Sequence, residues 1–295
     1  MTELLRHGIV ILPEQSWRLA APRWRAAEEM GFDHGWTYDH LVWAGLPDSP
    51  WFAAVPTLAA AAGVTTTMGL GTFVSSPNSR HPSTFARDVL TLDDLSDGRF
   101  LCGLGTGGDV DSRVLGEELS VRDRVSRFHE FVPLLDRLLR EDDVEHEGDW
   151  YAVHRARTLP GPVRHRVPLL VAASGPRSLR LAATVGDGWI TTGRGGDDLD
   201  AWFDGVADLA RDYEEACAAA HREPGRRVLM LDASPRFSLE SAALHSEMSG
   251  RAAGLGFTDV VTHWPRRDGP YAGAESVLEE VASGLRGRRA ADPLS

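Results

Sequence analysis

Short apolar runs alternate with longer amphipathic segments along the whole chain. Gly, Pro, Asp and Ser bound the short runs, which predicts eight β-strands, at 8–12, 34–38, 68–73, 100–104, 168–172, 188–192, 228–232 and 259–262. The segments between them repeat apolar residues at helical spacing, which predicts eight helices, at 17–30, 52–63, 83–95, 121–141, 176–185, 200–221, 239–253 and 273–285. Eight strand-then-helix units favour a single (β/α)8 barrel domain over residues 1–295, rather than an open sheet of six strands.

Two segments depart from this alternation. Residues 144–153 alternate around Gly148-Asp149 like a small β-hairpin, and a Pro- and Arg-rich stretch follows as far as Val167. This excursion either covers a bound cofactor or is a surface feature alone. Residues 109–120 are polar and are predicted to form a loop before the fourth helix.

The composition of the chain mainly excludes classes of protein. The 295-residue chain carries a net charge of -12, has no lysine and has no basic tract, so its surface repels nucleic acid. Cys102 and Cys217 are too few for a disulfide framework and fit a reducing cytoplasm, and Cys102 is expected in the core. The N-terminus lacks a basic region followed by an apolar run, and proline and glycine interrupt the uncharged stretch 49–79. We therefore expect a cytosolic protein without a membrane span.

A glycine-rich loop follows the fourth strand, where the chain reads Gly-Leu-Gly-Thr-Gly-Gly at 103–108. The string satisfies the G-x-G-x-x-G pattern of dinucleotide-binding units, but those loops open directly into a helix and a polar loop is predicted here. Without Cβ atoms, consecutive backbone N–H groups can approach an anion closely. We expect a phosphate to bind Gly105, Thr106, Gly107 and Gly108, with a plain tight turn as the alternative.

A second anion-binding feature follows the fifth strand. Ser174-Gly175-Pro176 opens the next helix, with proline in the first turn and serine near the N-cap. Helix N-termini collect anions because their first N–H groups are unpaired and the helix dipole favours negative charge. The arrangement is either ordinary capping or a second wall of one phosphate site shared with the glycine loop.

Candidate reactive residues follow strands two and three. In a barrel the active site lies at the carboxyl ends of the strands, and Asp39-His40 ends strand two. An imidazole titrates near neutral pH, so His40 is the candidate acid or base, with Trp43 at its flank. Arg80-His81-Pro82 is expected to fix the end of strand three rather than to react. The residues at that end either line a ligand or cap the next helix: Thr72, Val74, Ser75 and Ser76.

The last predicted strand is followed by three further candidates. His263, Trp264 and Arg266 are expected to line the edge of a substrate or cofactor, with ordinary loop residues as the equal alternative. Other chemistries lack their motifs. The eleven histidines form no His-x-His or His-Glu-x-x-His pattern, which argues against a metal site. No Gly-x-Ser-x-Gly elbow is present, which argues against a serine hydrolase.

These motifs resemble the bacterial luciferase-like superfamily, barrel oxidoreductases that use FMN or the deazaflavin coenzyme F420. The resemblance spans the first strand to the last helix, and its most specific parts are Asp39-His40, Arg80-His81-Pro82, residues 95–100 and Gly186-Asp187-Gly188-Trp189. It implies a cofactor phosphate at Gly107, Gly108, Gly175 and Pro176. It further implies a cofactor ring between His40, with its neighbour Asp39, and a bulge at the end of strand three. A cis non-prolyl peptide is expected in that bulge, near Val74, Ser75 and Ser76.

The resemblance also implies an activity. In the deazaflavin version a hydride moves between the ring and a small organic substrate while His40 gives or takes a proton; in the FMN version a separate reductase supplies reduced flavin for monooxygenation. A homodimer is expected in either case. Many deazaflavin dehydrogenases carry glutamate where Gly108 stands, so a second acid is either missing or supplied by Asp109, which is also a candidate substrate contact, or Asp111. The alternatives are a flavin-binding relative without turnover and an NAD-dependent Rossmann dehydrogenase.

Overall fold

Eight parallel strands close into a barrel in this computed structural model, which describes residues 4–163 and 166–291, with the backbone alone over 287–291. In space their order is β1-β10-β9-β8-β7-β4-β3-β2. The barrel strands are β1 (Arg6–Val10), β2 (His34–Thr37), β3 (Gly69–Thr72), β4 (Phe100–Leu104), β7 (Leu169–Ala172), β8 (Gly188–Thr191), β9 (Arg226–Met230) and β10 (Asp259–His263). This closure confirms the (β/α)8 prediction and excludes the open sheet of a Rossmann dehydrogenase.

Helices cover the outside of the barrel. They are α1 (Trp17–Glu29), α2 (Ala54–Ala62), α3 (Pro82–Leu95), α4 (Asp109–Val114), α5 (Val121–Arg140), α6 (Pro176–Thr184), α7 (Leu199–Ala219), α8 (Ala242–Gly254) and α9 (Glu275–Ala291). Strands β5 (Val144–Glu147) and β6 (Ala152–Ala156) pair antiparallel, which confirms the predicted hairpin. Within the described ranges, no helix is both long and apolar enough to cross a membrane.

Two apolar cores follow from the alternation of side chains along the strands. Val10 packs inside the barrel, whereas its neighbours Ile9 and Ile11 pack outside it against the helices. Cys102 is fully buried in the outer core, as predicted. Neighbouring residues along a strand face opposite sides of the barrel wall. A residue just after a strand therefore points into the barrel or toward the helices according to whether its position in the alternation is odd or even.

A charged cluster closes the end of the barrel opposite the candidate site. Its members are the first residues of four strands, and Asp259 binds the other three: Arg6, His34, Arg226 and Asp259. His34 donates from Nε2 to Asp259 over 2.8 Å and accepts at Nδ1 from the Trp36 indole over 2.6 Å. Burial raises the pKa of Asp259, but His34 and Arg226 outweigh it and hold that pKa well below its usual range. The cluster therefore neutralises a charge that is fully buried.

The prediction of a loop over 109–120 was wrong in its first half. Helix α4 begins at Asp109, immediately after Gly108, and the first turn carries Asp109 and Asp111. Acidic side chains stabilise a helix N-terminus, but this segment lacks the apolar period from which a helix is predicted. The glycine loop thus does open directly into a helix, so only the barrel topology excludes the dinucleotide-binding interpretation.

Candidate active site

The predicted ligand-binding loops lie side by side at one end of the barrel. Strand β2 pairs with β3, β3 with β4, and β4 with β7, all in parallel. The loops that follow these strands therefore emerge at the same edge, next to one another. We call residues 105–108 and 174–176 together the amide cradle.

Asn78 fixes the first half of the amide cradle. Its side-chain amide donates to the Gly108 carbonyl over 2.6 Å and its oxygen accepts from Arg127 over 2.6 Å. Gly107 adopts a left-handed φ of +71°, and a Cβ there would lie 2.3 Å from the Asn78 amide nitrogen. The loop conformation consequently requires both the glycine and the only asparagine of the chain.

The second half of the cradle offers unsatisfied helix N–H groups. Gly175 is the N-cap of α6, Pro176 occupies the first turn, and no side chain caps the helix, Ser174 included. A Cβ built on Gly108 or on Gly175 would meet no atom within 4 Å, so both backbones face open space. Open backbone amides of this kind are the groups that bind a phosphate, so both stretches remain candidates for the cofactor phosphate.

The chain after β3 turns back toward β4 through a cis peptide bond. The Phe73–Val74 bond is cis and non-prolyl, at the position where the resemblance places one. Ser75 then rejoins β4, donating its N–H to the Gly103 carbonyl and accepting from the Gly105 N–H. A Cβ on Gly105 would lie 2.5 Å from Val74, so this glycine allows the two segments to approach. The exit of strand three, residues 73–76, thus lies against the first half of the amide cradle.

Two polar residues near this exit bond within the protein. The Thr72 hydroxyl is fully buried and donates to the Gly103 carbonyl over 2.8 Å, so it joins β3 to β4. Ser76 is also buried, and its hydroxyl accepts from the Asn78 N–H. Both hydroxyls therefore take part in hydrogen bonds that shape the site.

Asp39 ties the end of β2 to the exit of strand three. Its buried carboxylate accepts two hydrogen bonds from Arg80, at 2.7 and 2.8 Å, and one from the Ser75 hydroxyl at 2.5 Å. Burial lowers the pKa of Arg80, but Asp39 outweighs it and raises the pKa overall. Arg80 thus fixes the strand exit, as the sequence predicts, and the Asp39 carboxylate acts through Arg80 and Ser75.

His40 forms a hydrogen-bonded pair with Asp111 of helix α4. The imidazole Nδ1 lies 2.7 Å from Asp111 Oδ2, and Oδ1 accepts the N–H groups of Leu41 and Val42 at 2.8 and 3.3 Å. Burial raises the pKa of Asp111, but the bonds from His40 and these N–H groups lower it below its usual value. An ionised Asp111 requires a proton on Nδ1, which leaves Nε2 to accept or return a proton. The His40 side chain is 24% exposed, so a ligand can reach it.

A second buried chain of polar groups lies beside His40. The Tyr38 hydroxyl lies 2.8 Å from His263 Nε2, and His263 Nδ1 lies 2.9 Å from Asp232. Burial lowers the pKa of His263 in spite of Asp232, so the imidazole is neutral, donates to Asp232 and accepts from Tyr38. The Tyr38 ring meets the His40 ring edge-on at 6.1 Å. One side of His40, the candidate acid-base residue, therefore lies against an aromatic ring.

The family profile for luciferase-like monooxygenases matches residues 5–286. The chain belongs to the luciferase-like monooxygenase family. It is also 36% identical to an F420-dependent glucose-6-phosphate dehydrogenase of Intrasporangium calvum, with 88% of this chain and 84% of the relative covered. The resemblance noted in the sequence is thereby confirmed, and the protein is a luciferase-like oxidoreductase.

Solved structures support the same fold. An F420-dependent secondary alcohol dehydrogenase in complex with an F420-acetone adduct matches with a TM-score of 0.77 at 18% identity, over 96% of this chain and 99% of that one. A type II Baeyer-Villiger monooxygenase of Pseudomonas putida in complex with FMN matches with a TM-score of 0.63 at 17% identity, over 77% and 66%. At these identities the likeness concerns the luciferase-like fold alone.

Three predicted contacts lie elsewhere in this luciferase-like barrel. Trp264 packs in the outer core and donates to Glu275, because it has the opposite parity to His263 on β10. Arg266 pairs with Glu14 through Nε and Nη2 at 2.9 Å, so it is engaged in structure. Asp109 is exposed and pairs with Arg113 over 3.3 Å. These three residues are not brought together with His40.

Sequence patterns gave little indication of several site residues of this family member. Asn78 stands out only as the sole asparagine, and the sequence indicates Asp111 only as a possible second acid. Asp232 follows a strand, and it contacts His263 across 31 positions. Asp232 is the last residue of the predicted strand 228–232, and a polar residue at the carboxyl end of a barrel strand is the signal that points to it.

Proposed function

We propose that this luciferase-like oxidoreductase is a coenzyme F420-dependent dehydrogenase, with His40 as its acid-base residue. The observation that carries the proposal is the His40–Asp111 pair beside the exit of strand three, where an imidazole has one fixed and one accessible nitrogen. The F420-dependent relative at 36% identity supports the choice of cofactor. We assign the substrate carbon as a carbinol or carbonyl carbon, since hydride transfer at such a carbon is coupled to proton transfer at its oxygen, a step that the Nε2 of His40 can perform.

The amide cradle would hold the phosphate of the coenzyme. Gly108 and Gly175 present open backbone there, and the first N–H groups of α6 carry the positive end of the helix dipole. Val74, partly buried among the residues inside the barrel, would support the ring from the exit of strand three. When bound, the coenzyme accepts or gives the hydride.

The protein residues would handle the proton. In the oxidative direction the substrate hydroxyl loses its proton to His40 Nε2 as the hydride leaves the same carbinol carbon, and a carbonyl remains. Asp111 holds the proton on Nδ1 and stabilises the imidazolium that forms. In the reductive direction the imidazolium returns the proton to the carbonyl oxygen. Positioned proton transfer of this kind contributes about 10²- to 10⁴-fold to rate.

Replacement of His40 tests this role. His40→Ala should retain F420 affinity within about tenfold, because the cradle holds the phosphate, while turnover falls by about 100-fold or more. The matched control is His154→Ala, since His154 is 72% exposed on the β5–β6 hairpin. Turnover of His40→Ala that equals the wild type would reject the acid-base role. F420 binding by a wild-type protein that never turns over any carbinol or carbonyl compound would indicate a binding protein instead.

A further inference from the structure

Aromatic rings line the part of the barrel mouth that lies across from the amide cradle. In the ring of eight strands, β10 and β1 stand opposite β4 and β7, which carry the cradle. The loops after β2, β9 and β10 supply the rings there. We call these residues the aromatic wall: Tyr38, Trp43, Trp51, Phe237 and Tyr271.

Tyr271 is the centre of the aromatic wall. Its ring stacks on the buried His263 imidazole with centroids 3.5 Å apart and planes 9° apart, and on Trp43 at 6.0 Å and 11°. Trp51 follows Trp43 at 5.9 Å, and Tyr38 meets Trp43 edge-on at 5.4 Å. Since Tyr38 also contacts His40, the wall extends to the candidate acid-base residue.

A specific device holds Tyr271 in place. Its backbone adopts a left-handed φ of +62°, which is costly for a bulky residue and persists only where the surroundings enforce it. Arg266 holds this backbone conformation, because it pairs with Glu14 and donates from Nη1 to the carbonyls of Asp268 and Pro270. The Arg266 N–H also donates to the Tyr271 carbonyl over 2.9 Å. Arg266 therefore fixes the position of the Tyr271 ring beside His263 and Trp43.

Little positive charge is available at the wall. Arg80 pairs with Asp39, Arg266 with Glu14, and Arg236 with Glu240, among the described residues that flank it. Arg267 lines a separate outer groove with residues of α1. The chain has no lysine and a net charge of -12. A bound phosphate is stabilised by unpaired cations or by open backbone N–H groups. In the described part of this mouth the flanking arginines are paired, and the open backbone identified here belongs to the amide cradle, which the coenzyme phosphate would occupy.

We propose that the aromatic wall is the substrate subsite and that the substrate is an uncharged secondary alcohol or ketone with an apolar body. This inference rests on the proposed dehydrogenase function and narrows its substrate class. The carbinol carbon gives its hydride to bound F420, the hydroxyl gives its proton to His40, and the apolar body packs on Tyr271 and Trp43. Sugar phosphates, named for the Intrasporangium calvum relative, fall outside this class.

Two measurements on the F420-loaded protein test the substrate class. The first compares turnover of 1-phenylethanol with turnover of glucose 6-phosphate, followed by the deazaflavin absorbance. The second measures binding of acetophenone by calorimetry with oxidised F420 bound, where no reaction takes place. We expect kcat/KM for 1-phenylethanol to exceed that for glucose 6-phosphate by about 100-fold or more, and acetophenone to bind saturably, because aromatic contacts stabilise apolar rings.

Variants of the wall locate the subsite. Tyr271→Gly removes the ring at a position where glycine adopts the backbone freely, and should weaken acetophenone binding about fivefold or more. Tyr271→Phe keeps the ring and should bind within about twofold of wild type, and Trp43→Leu repeats the test if the glycine variant does not fold. Phe52→Ala is the matched control, since Phe52 is 46% exposed outside the wall, and should leave binding unchanged.

The results separate this inference from the function on which it rests. Wild-type protein that fails to bind F420 would overturn the proposed function itself. F420 binding with kcat/KM for glucose 6-phosphate equal to or above that for 1-phenylethanol would overturn only the substrate class. The assignment of the aromatic wall as the substrate subsite would be overturned if the wild-type protein did not bind acetophenone. It would also be overturned if neither Tyr271→Gly nor Trp43→Leu changed that binding.

Discussion

Replacement of Asp111 by asparagine tests how His40 is made reactive. Asp111 is 3% exposed, and its carboxylate accepts from His40 Nδ1 at 2.7 Å. Asparagine keeps the size and leaves one oxygen for the Leu41 and Val42 N–H groups, but it removes the charge. An amide turned toward His40 through its nitrogen would donate to Nδ1 and force the proton onto Nε2, the nitrogen that must accept one.

The expected loss follows from the strength of this hydrogen bond. A bond to a charged group contributes about 1.5–3 kcal/mol, which corresponds to about 10- to 100-fold in rate if it is required in the transition state. Asp111→Asn should therefore lower kcat by that factor, while F420 affinity changes by less than about threefold because the amide cradle is intact. Deazaflavin absorbance follows turnover, and equilibrium titration gives the affinity.

Asp109→Asn is the matched comparison, since Asp109 lies two residues away on α4, is exposed and pairs with Arg113. Exposed pairs contribute little, so this variant should stay within about threefold of wild type. Wild-type turnover in Asp111→Asn, or a larger loss in Asp109→Asn than in Asp111→Asn, would refute the positioning role. The second result would instead make Asp109 the missing second acid.

Three further predictions concern other parts of the molecule. Asn78→Ala should weaken F420 binding about tenfold, because the Gly108 carbonyl loses its anchor, whereas Ser79→Ala, at an exposed neighbour, should not; titration decides. Asp259→Asn should lower the free energy of unfolding by about 1.5–3 kcal/mol in denaturant titration, since the buried His34 and the partly exposed Arg6 and Arg226 lose their charged acceptor, and wild-type stability would contradict this. Glu28 accepts three backbone N–H groups, and although burial raises its pKa, these bonds lower it to about 2. Its stabilisation is present above pH 4.5 and is lost as the pH falls toward 2, so Glu28→Gln should remove about 1 kcal/mol of the wild-type difference in stability between pH 6 and pH 3. An unchanged difference would show that Glu28 does not titrate in that range.

The fold was predictable because its signals are local and repeated. Each strand is a short apolar run before a helical period, so closure into a barrel followed from the order of elements. Helix α4 was missed because its six residues are mostly polar and its only signal is a glycine followed by acidic residues. Trp264 lies in the outer core because the alternation of side chains that continues from β10, rather than residue type, decides which core a residue joins.

The site was predictable in position but only partly in its contacts. His40, the amide cradle and the cis peptide all follow strands, where the fold collects binding residues. Their partners come from distant segments: Asp111 is 71 positions from His40, and Arg80 is 41 positions from Asp39. No local pattern pairs residues across such separations. Tyr271 was likewise unpredictable, because its place depends on a left-handed backbone held by Arg266.

The most direct test of the account compares equilibrium binding of F420 with binding of the same deazaflavin lacking its phosphate-bearing tail. If the open backbones at Gly108 and Gly175 hold the phosphate, the tail-free ring should bind at least about tenfold more weakly, since charge-assisted bonds are lost. Equal affinity for the two compounds, or no saturable binding of F420, would contradict the account.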